Sequence, residues 1–150
     1  MPNHCCNALI LNENSLWLIC KNYVRKDKKG DKIFDFELIK PIEDRVDGRI
    51  ERINKWGTNR VGYGLSIGDR TIDFFSAWSP PLRVIKKLAE LHKDFIFRLE
   101  YYETGIAFRG VYTAKWQDGE VLVEDDCWDM TDQDFEELGF DISETEELPN

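Results

Sequence analysis

The sequence predicts an α+β domain: a βαββαβ core with hairpin extensions and a short acidic helix at the end. Three observations carry this. The apolar residues fall into segments of two kinds, some at helical spacing and others alternating as half-buried strands do. The segments run β, α, β, β, α, β, β, β and then a small helix. Antiparallel hairpins with two amphipathic helices place both helices on one sheet face. The chain of 150 residues, 42% hydrophobic and 13% aromatic, is long enough to bury a core without disulfides.

Residues Cys5–Leu11 read as the first strand. Ser15–Val24 follows as a helix, with Leu16, Ile19, Cys20 and Tyr23 at helical spacing and Asn14 as its N-cap. Arg25–Lys32 is mostly charged and reads as a solvated loop. Ile33–Ile39 is a short, partly alternating strand stopped by Pro41. Ile42–Asn54 reads as a short helix from Val46, Ile50 and Ile53. Val61–Ile67 is a strand with Gly62 and Gly64, where glycine marks a bulge or close approach. The spacing Gly62-x-Gly64-x-x-x-Gly68 is not a dinucleotide fingerprint, because no capped helix follows it.

Thr71–Trp78 is a further strand. Ser79-Pro80-Pro81 ends it and opens the helix Leu82–His92, with Ser79 as N-cap and Val84, Ile85, Leu88 and Leu91 as the apolar stripe. Phe95–Tyr102 alternates through Phe95, Phe97, Leu99 and Tyr101. Ile106–Lys115 and Glu120–Glu124 pair across a Gln117-Asp118-Gly119 turn. Thr131–Leu138 carries a capping box from Thr131 and Asp134. A single domain is expected over residues 1–142, with an acidic C-terminal extension from residue 117 and a disordered tail over 143–150. There is no internal repeat.

The formal charge of −9 is the sum of two unlike parts. Residues 1–116 carry 20 basic and 15 acidic side chains, and residues 117–150 carry 14 acidic and none basic. No segment approaches the roughly 18 apolar residues of a membrane span. The N-terminus lacks the basic region of a signal peptide. Four cysteines without a C-x-x-C pattern suit a reducing cytosol. The adjacent Cys5 and Cys6 point to opposite faces if they lie in a strand.

No catalytic motif stands out. Glu100 and Glu103 have no partner nucleophile or histidine at a defensible spacing. The acids from Asp125 to Glu136 miss the calcium-loop pattern, since Met130 takes the place of its glycine. No metal site and no cofactor is expected. Trp56-Gly57-Thr58 and Trp78-Ser79-Pro80-Pro81 either form a binding surface or cover the sheet edge.

Five motifs stand out in order: Met1-Pro2-Asn3-His4-Cys5-x-Asn7, Phe34-Asp35-Phe36-x-x-Ile39-x-Pro41-Ile42, Trp56-Gly57-Thr58, Thr71 to Pro81, and Tyr101-x-Glu103-x-Gly105-x-x-Phe108-x-Gly110. Together they resemble the YubB-like ferredoxin-fold family of small phage and plasmid proteins. The run Ala77-Trp78-Ser79-Pro80-Pro81 is the most specific. His4 stands where the family has tryptophan, and Asn59-Arg60 replaces its Lys-Trp-Asp. The resemblance implies a ferredoxin-like βαββαβ sandwich and a mobile-element origin. It implies no activity and no iron–sulfur cluster, because no spaced cysteine quartet is present.

The expectation for function is therefore a non-enzymatic, cytoplasmic accessory protein. It would bind a host protein, such as one that itself binds nucleic acid, through an acidic surface. An anti-defence role would suit a phage or plasmid. The expected partner-binding residues are Trp56, Trp78, Asp125, Asp126, Trp128, Asp129, Asp132 and Glu136. Trp116, Phe135 and Phe140 are further apolar anchors. The alternative is a single-stranded nucleic-acid binder using the sheet face, helped by Arg25, Lys26, Lys28, Lys29 and Lys32. The negative balance disfavours direct binding of nucleic acid.

Overall fold

Strand β1 (His4–Ile10) sets the architecture, because alternation sorts its side chains onto two faces. Cys5, Asn7 and Leu9 are buried on one face. Cys6 and Ala8 stand on the other. In the computed structural model, which describes residues 3–44 and 46–140, every neighbouring strand repeats this division.

Helix α1 (Glu13–Tyr23) follows β1. It starts two residues earlier than the sequence suggests, because Asn12 and not Asn14 is the cap. The Asn12 side chain accepts from the Ser15 amide at 2.9 Å, and Ser15 Oγ accepts in return from the Asn12 amide at 3.0 Å. Serine fills the place where glutamate is usually sought. A two-stranded ribbon, β2 (Val24–Lys26) and β3 (Lys32–Phe34), then projects the basic residues.

The expected strand Ile33–Ile39 is cut short after Phe34. Asp35 accepts from the Glu37 amide at 3.2 Å and caps a 3-10 turn, Phe36–Leu38. The expected helix Ile42–Asn54 is also displaced, to α2 (Arg49–Trp56). Its Glu51 carboxylate accepts from the Glu43 and Asp44 amides at 2.8 and 2.7 Å, which holds the preceding segment as a loop. The supposed stripe of Val46, Ile50 and Ile53 is exposed, and the helix instead buries Trp56.

The sheet continues with β4 (Tyr63–Ile67) and β5 (Thr71–Ala77), then α3 (Leu82–Leu91), then β6 (Ile96–Glu103), β7 (Phe108–Gln117) and β8 (Glu120–Asp129). Ser79 does not cap α3. Pro81 holds the cap position, and Ser79 Oγ donates to the Gly57 carbonyl instead. The β7–β8 turn has positive φ at Asp118 (53°) and Gly119 (85°), as an Asp-Gly hairpin requires. β8 runs five residues beyond the expected Glu124, so the acidic segment is built into the sheet. α4 (Asp132–Glu137) carries the predicted Thr131–Asp134 capping box. The tail over 143–150 lies outside the described residues.

The six-stranded sheet has the order β4-β5-β1-β6-β7-β8, with every neighbouring pair antiparallel. The set β1-α1-β4-β5-α3-β6 is the βαββαβ unit of a ferredoxin-like fold. β7 and β8 widen it on the β6 side. α1 and α3 cover one face, through Ile19, Tyr23, Val84, Ile85 and Leu88. Phe34, Phe36, Phe74 and Trp56 add a ring cluster with centroids 5.2–5.6 Å apart between successive neighbours. Such pairs contribute about 0.5–1.5 kcal/mol each beyond burial. The other sheet face has no helix of the βαββαβ unit over it.

Candidate functional site

Two rows of side chains cross the uncovered face through cross-strand pairing. One row runs Tyr63, Phe75, Cys6, Tyr102, Arg109, Trp128. The next runs Ser66, Asp73, Ala8, Glu100, Val111, Asp126. Each row takes one residue from all six strands. The central strand contributes only the small Cys6 and Ala8, between larger neighbours. A cavity of about 470 Å³ lies over them. That volume falls within the range of small-molecule sites, about 300–1,000 Å³.

One wall is built at β4. Gly64 has φ +62°, and a Cβ there would lie 2.6 Å from the Phe75 ring. Glycine therefore lets Phe75 lie down against the edge strand. His4 and Tyr63 pack on Phe75, with centroids 5.3 and 5.9 Å away. Arg60 stacks over Tyr63 at 4.1 Å.

The other wall is α4. Trp128 Nε1 donates to Asp134 at 3.2 Å, and Arg109 donates to Asp134 and Glu137 at 3.0 and 2.9 Å. Phe140 packs between Tyr102 and Phe135, with centroids 6.2 and 6.0 Å away. Leu138 reaches the cavity itself.

The electrostatics suit binding better than covalent chemistry. Burial raises the Cys6 thiol above its ordinary range, and pushes Cys5 up to about 12. Burial, then the hydrogen bond to Cys6, pushes the Tyr102 phenol up to about 12. These groups stay protonated near neutrality, so no thiolate nucleophile is on hand. Burial also raises the Asp73 carboxyl. Glu100 pairs with Arg98 at 3.1 Å. Glu103 is buried on the helix side and accepts from the Gly105 and Ile106 amides at 2.6 and 2.7 Å, which makes it a turn brace. Among the described residues, no group of three His, Cys, Asp or Glu could hold a metal ion.

The residues singled out from sequence fall in five places. Trp56 is 1% exposed and donates to the Lys40 carbonyl at 2.9 Å. It belongs to the core and cannot touch a partner, because α2 turns it inward against Phe36. Trp78 is exposed at the far end of β5, with φ 69°. Asp126 and Trp128 stand on the uncovered face. Asp125 and Asp129 alternate to the helix side, where Asp125 accepts from the Tyr101 hydroxyl at 3.3 Å. Asp132 and Glu136 are exposed on α4.

Sequence reasoning missed Phe75, Tyr102, Asp73 and Arg109. Their signal was present, since each is out of phase with a core residue of its own strand.

No curated protein and no solved structure matches the chain. A family model does match residues 54–147, from α2 onward. With the βαββαβ topology already evident, the chain belongs to the family described as the ferredoxin-like domain in Api92-like protein.

Proposed function

We propose that this is a non-enzymatic binding protein of a mobile genetic element, which docks a basic host protein through its acidic edge. The observation that carries the reading is the placement of the negative charge. Residues 117–140 hold ten acidic and no basic side chains. They form β8, the last strand of the sheet, and α4 beside it. Edge strands that carry charge resist unselected pairing. The same charges attract a complementary surface and speed encounter. The mobile-element origin rests on the resemblance of the motifs between Met1 and Gly110 to YubB-like proteins. A role against a host defence protein fits that origin, as does a cytoplasmic location.

Deleting residues 117–150 would strip β8 from the sheet, so the test uses substitution. Glu120→Gln, Glu124→Gln and Asp129→Asn together remove three of the ten acidic charges. Affinity capture from host lysate should recover a basic partner with the parent chain and lose it with the triple variant. Equal recovery would sink the proposal.

A second reading keeps the aromatic row of Tyr63, Phe75 and Tyr102 as a platform for single-stranded nucleic acid. The basic β2–β3 ribbon favours it. The acids Asp73, Glu100 and Asp126 oppose it, since they would face the phosphates. Absence of any gel shift with single-stranded RNA or DNA at low salt would remove it.

A further inference from the structure

We propose that the cavity over Cys6 and Ala8 is a recognition pocket for an arginine side chain of the protein partner. The inference rests on the reading that the partner is basic, and it names where one of its side chains goes.

The cavity has aromatic walls, from Phe75, Tyr102 and Trp128, a floor of Cys6 and Ala8, and the acids Asp73 and Glu100 in its lining. Asp73 lines it and, among the described residues, has no hydrogen-bond or ion-pair partner. Its carboxylate is exposed and carries no donor of its own, so it is open to a charged donor from outside. Asp73 sits two residues along β5 from Phe75, on the same face. That places carboxylate and ring about 7 Å apart along the strand. A planar guanidinium can lie on a ring and point its forked donors at the acid over that span. A lysine ammonium can meet the charge but not the ring-stacking requirement as well.

The cations already present do not occupy this role: Arg60 lies outside the lining, over the Tyr63 ring at 4.1 Å. Arg98 is held by Glu100 at 3.1 Å. Arg109 is held by Asp134 and Glu137 at 3.0 and 2.9 Å, turned toward α4. Among the residues that line the cavity, Asp73 and Glu100 outnumber Arg109, a balance of −1. A phosphate-bearing ligand would meet that charge unfavourably, which separates this pocket from a nucleotide platform.

The test is an NMR titration of the ¹⁵N-labelled full chain. The probe is Nα-acetyl-arginine amide, and the neutral citrulline analogue is the control. Binding with a Kd on the order of 1 mM is expected, with amide shifts centred on Cys6, Ala8, Asp73 and Tyr102. Citrulline, or Asp73→Asn, should weaken it about tenfold. Ala8→Leu fills the floor, leaves Asp73 in place, and should abolish binding. If Asp73→Asn disturbs folding, Ala8→Leu decides alone.

No site-specific shifts, equal binding of the citrulline analogue, or tighter binding of uridine 5′-monophosphate at the same amides would overturn the assignment. The triple edge variant separates the two proposals. Arginine binding retained while partner capture is unchanged defeats only the acidic-edge reading. Partner capture lost in that variant, with no arginine binding in the parent chain, defeats only the pocket.

Discussion

Arg109 on β7 and Asp134 on α4 meet at 3.0 Å, and this pair fastens the terminal helix to the uncovered sheet face. Arg109 also reaches Glu137 at 2.9 Å and lies over the Trp128 ring at 5.9 Å. A six-residue helix has little stability of its own. Its position depends on these contacts. Arg109→Ala should therefore speed amide hydrogen exchange over Phe135–Leu138, with β6 and β7 still protected. Unchanged exchange in α4 would show that Phe135 and Phe140 hold it without the ion pairs.

The same helix should respond to acid. The Thr131 amide, then Trp128, the Thr131 hydroxyl and Arg109, hold the Asp134 carboxyl below the ordinary aspartate value of 3.8. A depressed folded value means the stabilising contribution is complete above the ordinary value and is lost as pH falls through the folded one. Docking of α4 should be constant from neutral pH down to about 5 and decline only below the ordinary range. The Trp128 indole N–H resonance followed against pH measures this. Asp134→Asn should flatten that dependence.

Asn12→Ala removes the side-chain half of the α1 capping box and leaves the backbone amide that donates to Ser15 Oγ. A loss of about 1 kcal/mol is expected, by urea denaturation. Asn14→Ala should have little effect, because Asn14 lies inside the helix. The contrast between the two variants checks the start of α1.

Gly110→Ala should destabilise the sheet by about 1–3 kcal/mol. A Cβ at Gly110 would come within 2.3 Å of the Tyr101 ring and 2.8 Å of the Asp126 carbonyl. The Tyr101 side chain is buried and its hydroxyl donates to Asp125 at 3.3 Å, so moving aside would disturb both its packing and that bond. A thermal melt within a degree or so of the parent would mean that β7 and β8 part more easily than their pairing suggests.

Most strands, and both helices of the ferredoxin-like unit, are legible in the sequence, because alternation and helical spacing are local consequences of burial. The Asp-Gly hairpin and the Thr131 capping box are legible for the same reason. The segment from Asp35 to Trp56 is not. There the side chains of Asp35 and Glu51 bond to nearby backbone amides, and that competition overrides the apolar pattern of Val46, Ile50 and Ile53.

For the candidate site, the sequence by itself determined the charge: every acid after Lys115 is there without a compensating base. Only the tertiary structure decided where that charge goes. Pairing along β7 sends Asp126 and Trp128 to one face and Asp125 and Asp129 to the other. It also buries Trp56, which sequence had placed among the binding residues. The cavity itself could not be read from any single segment. It exists because Cys6 and Ala8 on the central strand are small and their neighbours across the pairing are Phe75, Tyr102, Asp73 and Glu100. Side-chain size is local, but which residues stand beside each other in a sheet is set by strand order and register.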